Sequence, residues 1–220
     1  LVGIFRDTTY TFHVGQCIFA LLTLATFNGH TAHYLWGDAP WWQERSYFVL
    51  PSLGLFFGAL FTRSFLDTRQ TPLMDGVLVA IGLLAALTAV LGGLGQFAIA
   101  QTQNELLASA GIAAASLAAI LVLRRGFTPA RWYLGAQALL FVTVAGVVLS
   151  NWKVIDAPFM LANGLQIGVA AEMVVFAVAL STRIDSLNAS QIALRLRADH
   201  LAKAATTDPL TGLTNRMGLT

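Results

Sequence analysis

Residues 159–181 read FMLANGLQIGVAAEMVVFAVALS, 23 residues with a single charge, Glu172. A helix needs about 20 apolar residues to cross the hydrocarbon core of a bilayer, so this stretch predicts a membrane-spanning helix. The apolar pattern then changes character. Leu180, Ile184, Leu187, Gln191, Leu194, Ala198, Leu201 and Ala205 follow one another at alternating spacings of four and three. That is a heptad seam, and Arg183, Asp185, Arg195, Arg197, Asp199 and Lys203 lie off it. The span and the seam predict one rod that leaves the membrane and pairs with a second copy. The alternative is an amphipathic helix lying on the membrane, which the mixed charge of the polar face disfavours. Gln191 is the polar seam position, and two readings stand: an imperfection, or a residue that sets the register.

The rest of the chain has the same solvent. It is 56% hydrophobic and 11% charged, with mean hydropathy +0.69. A soluble domain carries about 25% charged residues, so this chain lacks the polar surface to cover a globule in water. Six stretches are predicted to span as helices, approximately 10–34, 47–65, 73–94, 105–123, 130–150 and 159–181. Leu1–Phe5 reads as the end of a further helix, with residues expected upstream of Leu1. Runs of this length without alternation argue against β-barrel strands. Cys17 is the one cysteine, so no disulfide forms within the chain. Thr71-Pro72 and Thr128-Pro129 each place a capping hydroxyl before a helix-opening proline, and Pro158 opens the last span. Pro51 is expected near an end of its helix.

Basic residues set the orientation. Alternate loops carry Arg6, then Arg63 and Arg69, then Arg124, Arg125 and Arg131, then Arg183, Arg195, Arg197 and Lys203; the intervening loops carry only Arg45 and Lys153. Positive charge stays inside, so the C-terminus is expected in the cytoplasm, and a bacterial inner membrane is the expected location. Trp36, Trp41, Trp42 and Trp152 fall at the expected outer boundary, where indoles anchor.

Two family resemblances follow. The segment Arg6-Asp7-x-x-Tyr10, with Asn28-Gly29, Tyr34-Leu35-Trp36 before Pro40, Phe65-Leu66-Asp67, Glu172 and Ala179-Leu180-x-x-Arg183-Ile184, resembles the seven-helix membrane module of bacterial receptors with diverse intracellular signalling modules. In that family a periplasmic ligand-binding domain often precedes the module. The tail carries Asp208, Leu210, Thr211, Gly212, Leu213, Asn215 and Arg216 in the order Asp-x-Leu-Thr-Gly-Leu-x-Asn-Arg. This resembles the start of the GGDEF domain of diguanylate cyclases. Locally, Pro209 ends a helix, Gly212 permits a turn and Asn215 can cap the next helix. The resemblance implies two facing domains that join two GTP, with Mg²⁺, into cyclic di-GMP. The catalytic residues of such a domain are expected beyond Thr220, so no catalytic residue and no cofactor is assigned within residues 1–220.

Polar residues inside spans mark function by default. Glu172 is the one clear intramembrane charge, and Gln16, Gln137 and Ser116 lie at similar depth, with His13 nearer the surface. Glu172 is expected either to bond one of these or to be protonated. It then serves as glue between helices or as a switch whose partner changes. Asn28, His30, His33, Asn163 and Gln166, with Asn151, form a second set toward the outer half. They line an outward pocket for a small ligand or simply face water. His30 and His33 find no third ligand at metal-binding spacing, so no metal site is assigned. The small-residue run Ala108–Ala119 suits close helix packing.

The expected architecture is an all-α membrane bundle over 1–181, a coiled-coil linker over 182–205, and the start of an α/β GGDEF domain over 206–220. The expected function is a receptor module that controls a cytoplasmic diguanylate cyclase. Its expected partners are the bilayer, a second copy of itself and a periplasmic ligand or sensor domain, with no nucleic acid. A transporter or channel predicts charge along a path and inverted repeats, neither of which is evident. A histidine-kinase output is disfavoured because the tail has no phosphoacceptor-histidine sequence.

Overall fold

The computed structural model describes residues 8–151 and 153–206, and every element among them is helical. In order they are α1 (Thr8–Phe27), α2 (His30–Tyr34), α3 (Pro40–Phe65), a 3₁₀ turn (Thr68–Gln70), α4 (Pro72–Gly93), α5 (Phe97–Arg124), α6 (Ala130–Asn151) and α7 (Pro158–Thr206). Five helices among the described residues are long and apolar enough to cross a membrane: α1, α3, α4, α5 and residues Ala162–Ala198 of α7. The stretch expected at 130–150 forms α6. The stub at 1–5 and the tail motif at 208–216 lie outside the described residues.

Several expected boundaries move, each for a local reason. The first span stops at Phe27 instead of continuing to 34, because Gly29 takes a left-handed φ of 77° and Asn28 turns its amide back onto the Leu24 carbonyl. The chain resumes as the short α2. Helix α3 starts at Pro40, where a proline suits the first helical turn. Pro51 is therefore interior to α3 rather than near its end, and its missing N–H deprives the Tyr47 carbonyl of a donor. The hydroxyl of Thr71 does not cap α4; it donates to the Thr68 carbonyl at 2.9 Å. Helix α6 opens at Ala130, after a turn in which Arg131 N–H donates to Thr128 and Trp132 N–H to Pro129.

Helix α5 begins eight residues before the expected 105, with a polar first half. Those polar residues reach into neighbouring helices instead of water. Gln103 Oε1 lies 2.8 Å from the Thr88 hydroxyl of α4. Asn104 donates to the Phe48 carbonyl of α3 at 3.1 Å, and its Oδ1 lies 2.8 Å from the Ser52 hydroxyl.

The chain divides into two units after Ala179. In the first, α3 is central: it packs on α1, α4 and α5, and α5 packs on α6. The core is aromatic. Phe61 and Phe65 of α3, Tyr133 of α6 and Phe176 of α7 are all but fully buried. Tyr133 stacks on Phe176 at 4.8 Å and on Phe65 at 5.6 Å. Small residues let backbones close in. A Cβ on Gly168 of α7 would overlap the Thr143 hydroxyl of α6, and one on Gly92 would lie 2.9 Å from Phe48 Cβ. Large apolar residues face outward: Val14, Ile18 and Leu21 on α1, and Leu83, Leu87 and Val90 on α4. This inside-out pattern fits contact with a lipid bilayer. In the second unit the seam leucines 187, 194 and 201 are all exposed.

An intramembrane cavity lined by Glu172

Helices α1, α3, α4, α5, α6 and α7 line a partly open cavity of about 350 Å³. Its wall is largely apolar and small, with Gly54, Gly58, Ala59 and Ala115 keeping it open. Gln16 on α1, Gln137 on α6 and Glu172 on α7 all line it. The structure thus brings together three of the four residues that sequence depth groups. Ser116 is not among the lining residues, and His13 lies instead between Phe61 and Phe176, at 5.0 and 6.2 Å.

Glu172 is 5% exposed, and it makes no hydrogen bond or ion pair with any described residue. A bond to Gln16 or Gln137, one of the alternatives expected beside a protonated carboxyl, does not form. The Gln16 and Gln137 Oε1 atoms are also buried without a partner. Tyr133 and Cys17 lie within electrostatic reach of Glu172. The Cys17 sulfur in turn sits 3.3 Å from Met173 Sδ and 3.6 Å from His13 Nε2.

A directed chain of hydrogen bonds leads away from Gln137. The Thr62 hydroxyl donates to the Gly58 carbonyl at 2.8 Å. A hydroxyl has one hydrogen, so Thr62 must accept from Tyr133, 2.6 Å away. The Tyr133 hydrogen is then committed, and its oxygen accepts from Gln137 Nε2 at 3.3 Å. This order fixes which end of the Gln137 amide bonds Tyr133, and leaves its carbonyl oxygen as the unused acceptor. Sequence depth could group Gln137 with Glu172. Tyr133 and Thr62 carried no signal, because a tyrosine and a threonine in a span are equally compatible with lipid or core.

A second space, of about 1070 Å³, adjoins the first. The two share Phe27, Pro51, Asn104, Ala108 and Leu165. The second is also lined by Gln43, Glu44, Gln101 and Glu105, toward the bundle end that carries Trp41 and Trp42. The other expected polar set does not form either wall. Asn28 accepts from Gln166 Nε2 at 2.9 Å, joining α7 to the end of α1. Asn163 donates to the Phe159 carbonyl of its own helix. His30 and His33 are exposed on α2, and none of these five lines either space.

The family described as 7TM diverse intracellular signalling matches the chain over residues 1–183. No curated protein and no solved structure matches it. The match covers the helices that line the cavity, and it stops just past the point where the first structural unit ends. The chain is a multi-pass membrane protein of signal transduction and belongs to the 7TM diverse intracellular signalling family.

Proposed function

We propose that this module receives a cue at the outer side of a bacterial inner membrane and sets the activity of a cytoplasmic diguanylate cyclase. The observation that carries the reading is the extent of α7. It is helical from Pro158 to Thr206, so helix runs up to the residues where the Asp-x-Leu-Thr-Gly-Leu-x-Asn-Arg sequence begins. The ten basic residues on alternate loops, against two on the others, support a cytoplasmic C-terminus. The exposed leucines at 187, 194 and 201 support a homodimeric coil, since an apolar seam in water calls for a partner. The GTP and Mg²⁺ of such a cyclase belong to the domain that the tail motif opens. The membrane bundle would act on it by shifting or rotating the paired α7 helices, and so controlling whether two cyclase domains face each other.

The test is cyclic di-GMP measured in cells making the full-length protein. Four residues inserted beside Gln191 shift the seam by about half a heptad and act as a stutter. The expected result is a changed cyclic di-GMP level at equal protein abundance. An unchanged level would reduce α7 to a passive tether. The absence of any cyclic di-GMP dependence on the full-length protein would overturn the cyclase output itself.

A further inference from the structure

The polar groups left over in the cavity include two buried carbonyl oxygens and a carboxyl. Gln137 is 8% exposed and its Oε1 is an acceptor by the hydrogen-bond order set out above. Gln16 Oε1 is a second buried acceptor without a donor. Glu172 adds a carboxyl with no hydrogen bond or ion pair among the described residues. The side chains of three other polar residues on the wall are engaged elsewhere: Asn104 with Ser52 and Phe48, Thr23 with the Phe19 carbonyl, and Thr62 with Tyr133. Among the described residues no lysine or arginine lines either space, and the wider one carries Glu44 and Glu105. Arg45, the nearest basic residue in sequence, is engaged with the Gly93 and Trp41 carbonyls instead.

We infer that the cavity is a binding site for a small organic cation, an alkyl- or arylalkyl-ammonium whose apolar body fills the space beside Gly54, Gly58 and Ala115 and whose N–H groups meet Glu172 and the two glutamine carbonyls. Charging a lone carboxyl in an apolar interior is costly, and a cation that also donates hydrogen bonds offsets that cost where an alcohol does not. A volume of about 350 Å³ suits a small ligand, near the lower end of ordinary pockets. Glu44 and Glu105 give the wider space a negative rim that attracts such a cation toward the Phe27, Pro51 and Leu165 neck. This inference rests on the module being a receptor. It does not depend on which enzyme the receptor controls.

The experiment uses the full-length protein in nanodiscs, with the thermal midpoint followed against probe concentration. The probes are phenethylamine and hexylamine, and the controls are phenethyl alcohol and hexanol. The expected result is a saturable rise with the amines and none with the alcohols. Glu172→Gln should weaken the amine effect by about tenfold or more, the usual worth of a charged hydrogen-bonded contact. If that variant does not fold, Gln137→Leu, which retains Glu172, should still weaken amine binding relative to the unsubstituted protein. Equal shifts from amine and alcohol would overturn the inference and point to a merely apolar cavity. So would an amine shift that survives Glu172→Gln, or no shift from either amine. Binding can fail in this way while cyclic di-GMP output persists, so the two proposals fail separately.

Discussion

Arg63, in the last turn of α3, and Asp75, in the first turn of α4, are joined by two parallel hydrogen bonds of 2.6 and 2.9 Å. The Thr68 hydroxyl adds a third, at 2.9 Å, to the same carboxylate. Between them the chain must turn through Asp67, a non-glycine residue at φ 48°. The clasp holds two helix ends over that turn, and Asp75 also faces the positive end of α4. The pair is partly exposed, at 31% and 18%, which limits its worth. Asp75→Asn should lower stability by about 1 kcal/mol, and Arg63→Gln in the same background should cost little more. Thermal unfolding of the four proteins of that cycle in nanodiscs checks it; additive losses would mean that the two residues are not coupled.

Tyr133→Phe should be the more damaging change. It removes the hydroxyl that joins Gln137 to Thr62 and leaves a buried amide N–H without an acceptor. The expected loss is about 1–3 kcal/mol. Adding Gln137→Leu to Tyr133→Phe should restore part of it, because an apolar pair leaves nothing unsatisfied. A double variant less stable than Tyr133→Phe alone would contradict the hydrogen-bond order.

Gly168→Ala should destabilise the bundle by about 1–3 kcal/mol, because the new methyl would overlap the Thr143 hydroxyl. Thr143→Ala should relieve it. Gly93→Ala is the control, since a Cβ there meets nothing within 4 Å. If the two alanines behave alike, α6 and α7 do not approach closely at this point.

The seam of α7 can be read by cross-linking. In a Cys17→Ala background, Leu187→Cys and Leu194→Cys should each form a disulfide between two copies in native membranes. Arg195→Cys, one position off the seam, should form much less. Equal cross-linking at 194 and 195 would argue against a paired coil.

The comparison of chain and structure divides by the range over which each property is set. The apolar run at 159–181, its lone Glu172, the heptad seam after it and the prolines at 72 and 158 are local, and the solvent alone determines their meaning: lipid demands about 20 apolar residues in a helix, and a proline suits a first turn. The family motifs are equally one-dimensional. What packing decided lies between helices. Gln103 and Asn104 resemble loop residues on a hydropathy count, yet the hydroxyls of Thr88 and Ser52 on neighbouring helices make them interior. Asn28 and Gln166 share a hydrogen bond across 138 residues of sequence but no wall of the cavity. The grouping of Gln16, Gln137 and Glu172 was legible from depth, whereas the absence of a hydrogen bond between Glu172 and either amide was not. Depth along a helix follows from counting residues at a fixed rise, but the direction a side chain faces and the partner it meets depend on how helices rotate and close against one another.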